Sequence, residues 1–220
     1  MSYAAAKADL FDSLARVGKA LASGKRLELV DLLAQGERTV DALARAAGLG
    51  LTTASAHLQI LKQAGLVSTR RDGTRIHYRL AGPDVAGLYA GLRDVAAAHS
   101  ADVAAARDTY LGEPTEAVDR DELLRRLKTG QVAVLDVRPA EEYTAGHIPG
   151  ATSIPLDQLA DRLGDLPADI DVVAYCRGAY CVFAHDAVRL LTAHGRRAVR
   201  LTDGMLEWRL ANLPIKAGAA

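Results

Sequence analysis

The feature that most limits what this chain can fold into is the run Val172-Val173-Ala174-Tyr175-Cys176-Arg177-Gly178-Ala179-Tyr180-Cys181-Val182, which holds the only two cysteines among 220 residues. Its first part is apolar and β-branched, as in a strand buried on both faces. After Cys181, Ala184, Ala187, Val188 and Leu191 recur at three- and four-residue steps, which predicts a helix. Strand, tight loop and helix N-terminus in succession aim backbone N–H groups and the positive end of a helix dipole at whatever the loop holds. A thiol placed there ionises more readily than a free one. Two buried cysteines acting as small apolar side chains are the plain alternative, but Arg177 and Gly178 do not belong to a simple core segment. The candidate reactive site is therefore Cys176 and Cys181 with Arg177, on a loop completed by Gly178, Ala179 and Tyr180.

Length and charge set the outer bounds. Half of the 220 residues are hydrophobic, enough for two modest cores, so two domains are expected. The formal net charge is zero, which excludes a global basic field and leaves any nucleic-acid contact to a local patch. No window of eighteen apolar residues occurs, and Met1-Ser2-Tyr3-Ala4 opens neither a signal peptide nor a membrane span, so a cytoplasmic protein with no membrane partner is expected. Thiols stay reduced in that compartment, so a close cysteine pair is expected to be reactive or ligand-binding rather than a structural disulfide.

The first half reads as short helices followed by a hairpin. Helices are predicted over Asp9 to Ala22, with Leu10, Leu14, Val17 and Leu21 on one stripe and Gly24 as a break, then Lys25 to Leu33 and Thr39 to Ala47. A fourth, with a threonine as N-cap, runs from Leu51 to about Gln63. The short connection Ala47-Gly48-Leu49-Gly50 between the last two is helix-turn-helix grammar. Core residues Ala54, Leu58 and Leu61 leave Thr52, Thr53, Ser55, His57 and Gln59 free, with Lys62 near the end. Gly65 to Leu80 predicts two strands around Asp72-Gly73, with Leu66, Ile76, Tyr78 and Leu80 inward. Outward, Arg70, Arg71, Arg75, His77 and Arg79 face a single acid, Asp72. Such a wing suits phosphates, and the helix hydroxyls and amides suit base edges.

The stretches Ala20 to Val30, Leu43-Ala44, Thr53 to Val67, Arg71-Asp72-Gly73 and Tyr78-Arg79-Leu80 resemble the ArsR-type winged helix-turn-helix over roughly residues 9 to 110. The resemblance implies a homodimeric repressor on double-stranded operator DNA, with recognition helices in major grooves about 34 Å apart. It also implies a dimer interface built from the first and last helices. Asp84 to about Leu111 fits the last helix, with Val85, Leu88, Tyr89, Leu92, Val95 and Ala96 on one stripe. Where that family carries metal-sensing cysteines, this chain reads Arg38-Thr39-Val40-Asp41-Ala42-Leu43, without a thiol. Asp94, His99 and Asp102 do not match the spacing of the family's other metal site, so no metal is expected in the winged-helix domain.

Gly112-Glu113-Pro114-Thr115 breaks the helical pattern. The expected layout is a winged-helix domain over 1–110, a linker over 111–118 and a further domain over 119–220. The residues up to Glu113 hold 14 Lys+Arg against 12 Asp+Glu, a net +2, and the remainder 13 against 15, a net −2, so the second half is no nucleic-acid binder by charge. Its pattern alternates: helix Arg120 to Lys128, strand Val132 to Val137, helical turn Ala140 to Ala145, a helical stretch near Leu156 to Leu163, strand Asp171 to Tyr175, helix, strand Ala198 to Leu201 and a last helix Met205 to Ala211. The expected class is thus a mainly α winged helix-turn-helix with a β-hairpin wing, followed by an α/β domain with a small parallel sheet.

Leu135-Asp136-Val137-Arg138, Glu141-Glu142-Tyr143, Gly146 to Ala151, Ile154-Pro155 and Asp203 to Trp208 resemble rhodanese, a sulfurtransferase fold, over roughly residues 119 to 216. The resemblance implies that Cys176 carries a sulfane sulfur as a persulfide, and that Asp136, Arg138 and His147 hold the loops beneath it. Two departures matter. Glycine is third in the loop rather than fourth, and the sixth position, often arginine, is Cys181, so the anion-binding arginine is missing.

Three functions are consistent with these readings. One is a repressor whose rhodanese-like domain senses a small sulfur donor through Cys176 and Cys181. A second is a thiosulfate or thiol sulfurtransferase. The third is an arsenite-responsive repressor using the same pair as ligands. None requires a cofactor.

Overall fold

The computed structural model describes residues 2–218; positions 1, 219 and 220, at the outer ends of the expected domains, lie outside the described residues. The chain divides into two compact units, Met1–Gly91 and Leu92–Ala220.

In the first unit Ser2 accepts from the Ala5 amide and caps α1 (Tyr3–Leu21), so that helix begins well before the expected Asp9. Gly24 opens α2 (Gly24–Gln35) rather than separating helices. Arg26 reaches back from α2 and donates to the carbonyls of Ala20 at 2.5 Å and Lys19 at 3.0 Å, in the last turn of α1. After β1 (Arg38–Thr39), Thr39 caps α3 (Val40–Ala46) by accepting from the Ala42 amide at 3.3 Å. Gly48, at φ 61°, turns the chain toward α4 (Leu51–Gln63). The N-cap of α4 is Gly50, not a threonine as expected, because Thr52 and Thr53 already lie in the first turn of the helix.

β2 (Val67–Asp72) and β3 (Arg75–Leu80) form the wing hairpin, and β1 pairs with β3 to give the antiparallel order β1-β3-β2. Leu29, Leu43, Leu58, Leu61, Leu66 and Tyr78 fill the core of this unit. Ile76 was expected inward with Tyr78 but is 48% exposed: it shares the face of Tyr78, yet lies close to the hairpin tip, beyond the helices that cover Tyr78. Helix α5 (Pro83–His99) begins here, and the boundary between units falls inside it.

In the second unit Ser100 ends α5 and caps α6 (Ala101–Leu111), accepting from the Val103 amide, so the single helix expected from Asp84 to Leu111 is two. β4 (Ala117–Val118) follows, then α7 (Arg120–Lys128), β5 (Val132–Asp136), α8 (Ala140–Ala145), β6 (Thr152–Ser153) and β7 (Asp171–Tyr175). α9 (Val182–Ala193), β8 (Ala198–Leu201) and α10 (Met205–Leu210) complete it. The expected helix near Leu156 to Leu163 is two short 3-10 turns, Leu156–Gln158 and Leu163–Asp165. The sheet has the parallel order β4-β8-β7-β5-β6. Ala117 and Val118, expected within a linker, pair with Arg200 and Leu201, and α6 packs against α9, so the chain is already committed to the second unit before residue 111.

The two-residue period of β7 sorts its side chains between two cores. Val172, Ala174 and Cys176 face one cluster with Ala184, Ala187, Val188 and Leu191 of α9. Val173 and Tyr175 face the other, with Leu123, Ile148, Met205 and Trp208. Cys176 thus stands at the carboxyl end of the central strand, on the α9 side. Beneath it Arg138 and Asp136, whose side chains are fully buried, pair at 2.6 Å. The Tyr175 hydroxyl donates to Asp136 Oδ2 at 2.5 Å and accepts from the Ile148 amide at 3.1 Å; Arg138 also donates to the Gly146 carbonyl at 2.8 Å. Burial and the Asp136 charge push the Tyr175 hydroxyl well above its ordinary pKa. His147 stacks on Tyr143 and places Nδ1 2.9 Å from the Tyr143 carbonyl, holding the turn above this pair.

Breaking the network from one side leaves a buried charge. Arg138→Met is expected to destabilise the protein by about 3–5 kcal/mol, and Tyr175→Phe by about 1–3 kcal/mol, both read from urea unfolding midpoints. A second expectation concerns His185 of α9, which is buried, with Nδ1 3.1 Å from Thr115 Oγ1. Burial, with the Arg200 and Arg189 charges, lowers its pKa from 6.5 to about 4. The unfolded chain therefore binds a proton there before the folded one does, so stability should fall as pH is lowered from about 6.5 toward 4. Thermal unfolding across that range should show a smaller loss in His185→Gln.

Candidate functional site

The cysteine loop is closed. Cys176 follows β7 directly, Cys181 is the N-cap residue of α9, and their sulfurs form a disulfide across a Cα–Cα distance of 6.1 Å. That separation lies in the ordinary range for the bond. No free cysteine remains among the described residues, so the pair expected as two thiols stands here in its oxidised form.

The loop is bound to α10 and the turn before it. The carbonyls of Cys176 and Arg177 accept from the amides of Met205 and Leu206 at 2.9 and 2.8 Å, and that of Gly178 accepts from Cys181 N–H at 3.0 Å. Glu207 accepts from the amides of Gly204 at 2.8 Å and Ala179 at 3.4 Å. Two of the amides expected to cradle a sulfur anion, those of Ala179 and Cys181, are thus already engaged. A side chain at position 204 would run into the backbone of Gly178 and Arg177, which is why glycine stands there. In the sequence Glu207 stands only as part of the stretch Asp203 to Trp208. Its position three residues after Gly204 is the available signal, since a glutamate there reaches back to the first amides of the helix.

Arg177 differs from expectation in what it faces. Its guanidinium grips Glu142 through Nε at 2.9 and 3.0 Å and Nη2 at 2.7 Å, and lies 5.4 Å from the centre of the Phe183 ring. Glu142 is itself buried, so the arginine is committed to neutralising it. It fastens the loop to α8 instead of supplying a spare cation to the thiolate. Arg93 was missed altogether. This residue of α5, within the second unit, donates from Nη1 to Glu207 Oε1 at 2.6 Å and sits 5.3 Å from the Tyr180 ring centre. Arg93 and Glu207 are 114 residues apart, and both side chains are largely buried. Glu207 is therefore shared between Arg93 and an amide inside the cysteine loop. Arg93 also donates to Asp94, one of the acids considered as a metal ligand.

In the first unit, Thr52 and Thr53 are exposed on the first turn of α4, Ser55 is half-buried and Lys62 is exposed. His57 is half-buried, and its Nδ1 is buried without a hydrogen-bond partner among the described residues. Gln59 donates to the Tyr78 hydroxyl at 3.0 Å, tying the helix to the wing, and Lys62 donates to Thr69 at 3.1 Å. Arg70, expected to face phosphate, is bound by Glu37 at 2.6 and 3.0 Å and lowers the pKa of that carboxyl. Arg71 donates to the Gly73 carbonyl, Arg79 to Ser68, and Arg75 is exposed at the hairpin tip. The wing's remaining positive side chains are Arg71, on the face of Ile76, and Arg75 and Arg79 on the opposite face, with Arg70 neutralised by Glu37. Among the described residues no helix is long and apolar enough to cross a membrane, and no group of three or more His, Cys, Asp and Glu residues is placed to hold a metal ion.

These two constructions match two family models: "Bacterial regulatory protein, arsR family" over residues 23–69 and "Rhodanese-like domain" over residues 119–211. An HTH-type (helix-turn-helix) transcriptional regulator of Mycobacterium tuberculosis is 62% identical over 213 residues, 97% of this chain and 94% of its own length. A probable mercury resistance operon repressor of Streptomyces lividans is 38% identical over 109 residues, 50% of this chain and 84% of its own. A sulfurtransferase of Allochromatium vinosum is 33% identical over 101 residues, 46% of this chain and 94% of its own. With an arsR-family domain and a rhodanese-like domain matched in one chain, and an HTH-type regulator similar to it over 97% of its length, the protein belongs to the HTH-type transcriptional regulators.

Proposed function

We propose that this regulator is a homodimeric repressor of the cytoplasm whose grip on operator DNA is set by the thiol or disulfide state of Cys176 and Cys181. The observation that carries this reading is the closure of the chain's only two cysteines within one loop, bound through Glu207 to Arg93 of α5. Helix α5 also carries Leu88, 47% exposed, and α1 exposes Leu10, Phe11 and Leu14 at 57–59%. Apolar faces of that kind need a partner, and a second copy is the partner that the arsR family supplies. Thr52, Thr53 and Ser55 are the base-reading candidates, with Arg71 and Arg75 on phosphates.

The chemistry follows from the pair. The Cys176 thiolate attacks a terminal sulfur of a polysulfide, the donor S–S bond breaks, and the shortened donor leaves as a thiolate. Cys181, as thiolate, then attacks the Cys176 sulfur and displaces sulfide, closing the disulfide; two thiols are oxidised and the donor's sulfane sulfur is reduced. Repeated sulfur transfer, the activity named for the Allochromatium relative, is the weaker reading, because Arg177 is held by Glu142 and Cys181 occupies the loop's last position. A thiophilic ion is the other ligand class that two thiolates suit, and the Streptomyces relative is named for mercury resistance.

Two measurements check the proposal. In gel-shift assays the wild type should release operator DNA on adding polysulfide, while Cys176→Ser should bind DNA normally and not release. Intact-mass spectra should show Cys181→Ser stalled with one added sulfur and the wild type losing two hydrogens. Undiminished release by Cys176→Ser would contradict the mechanism, and an arsenic adduct that alone drives release would move the reading to metalloid sensing. Separately, Arg75→Ala should weaken binding to all DNA sequences alike and reduce the salt slope by about one, measured by anisotropy titrations at several salt concentrations.

A further inference from the structure

A cavity lies beside the cysteine loop and includes neither cysteine. It measures about 490 Å³ and is walled by α6, by Gly112, Pro114 and Thr115, by Ala179 and Tyr180 of the loop, and by His185, Arg200 and Thr202. That volume is ordinary for a small-molecule site, for which roughly 300–1,000 Å³ is typical.

Three observations give the cavity a chemical character. First, Arg200 has no carboxylate partner among the described residues: its Nη1 lies 3.4 and 3.5 Å from the carbonyls of Leu201 and Thr202, and its Nε is buried without a hydrogen bond. Burial alone lowers its pKa, with no acid acting against that. A half-buried guanidinium without a counter-ion is costly, and proteins generally supply one. Second, His185 is 4% exposed and its Nε2 has no hydrogen-bond partner among the described residues, while Nδ1 is taken by Thr115. An anion at Nε2 selects the neutral tautomer that carries its proton there, in which Nδ1 accepts from the Thr115 hydroxyl. Third, the one carboxylate on the wall, Asp108, is engaged by Arg107 at 2.7 and 2.9 Å. Arg107 and Asp108 cancel, which leaves Arg200 as a single uncompensated positive charge.

We propose that this cavity binds a small anion through one carboxylate or oxyanion group, held by Arg200 and by Nε2 of His185, with the rest of the molecule against Leu111, Pro114 and Tyr180. Its occupant touches Ala179 and Tyr180, and so contacts the cysteine loop without reacting with it. The site is independent of the thiol chemistry proposed above and is present with the disulfide closed, the state in which it is seen.

The test uses the full-length protein in its disulfide form, titrated calorimetrically with thiosulfate and, in parallel, with acetate. Saturable binding of either at one site per chain supports the site, and the preference between them assigns the oxyanion or the carboxylate. Arg200→Gln should weaken that binding at least tenfold, Arg200→Lys should retain it within a few-fold, and Arg162→Gln, at an arginine outside the cavity, should leave it unchanged. In a protein labelled with ¹⁵N-histidine, the Nε2 resonance of His185 should move as the site fills. Absence of saturable binding by both probes, equal affinity in Arg200→Gln, or a His185 resonance that stays put under saturating anion would each overturn the proposal.

Discussion

Two carboxylates with very different neighbours decide what the cysteine loop is. Glu142 is buried and held by Arg177, which fixes the start of the loop to α8. Glu207 accepts from the amides of Gly204 and Ala179 and from Arg93, which fixes the middle of the loop to α10 and to α5. Hydrogen bonds to charged groups are worth about 1.5–3 kcal/mol each, so the conformation of this six-residue loop is set by the two acids more than by its own turn. On the proposed function, a change in the covalent state of Cys176 and Cys181 acts against Glu207, and through it on Arg93.

The frame under the loop is of a different kind. Asp136, Arg138 and Tyr175 satisfy one another in a fully buried cluster that also binds the Ile148 amide and the Gly146 carbonyl. Such a cluster adds little net stability relative to a well-packed apolar core, but it is strongly destabilised if a single member is lost. It holds the strand ends beneath the loop, and Cys176 emerges from β7 facing α9. The chain thus separates rigid support, built from a closed network, from a loop whose ties run to charged side chains able to respond.

Much of this was legible in the residues because it is local. The cysteine loop, the helix-turn-helix and the wing lie in continuous stretches with their own periodicity, and the Gly48 and Gly73 turns announce themselves. What escaped is tertiary or very short. Arg93 and Glu207 stand 114 residues apart, and no pattern along the chain links them. β1, β4 and β6 have two residues each, too few for an alternation to register. Ser100 looks like any polar residue on a helix until its side chain is seen capping the next one, and the charge of Arg70 counts toward DNA only until Glu37 is found against it. Arg177 falls in the expected reactive site for the same reason: a sequence shows a charge but not the acid that claims it.

The central claim is that closing one disulfide in the rhodanese-like domain changes the affinity of the arsR-type domain for DNA. It is tested most directly by measuring fluorescence anisotropy of an operator fragment, selected from random DNA by the reduced protein, against full-length protein with Cys176 and Cys181 either fully reduced or fully joined. The account predicts at least tenfold weaker binding in the disulfide form, reversed on reduction and absent when Cys176 and Cys181 are both serine. Equal affinities in the two states would contradict it.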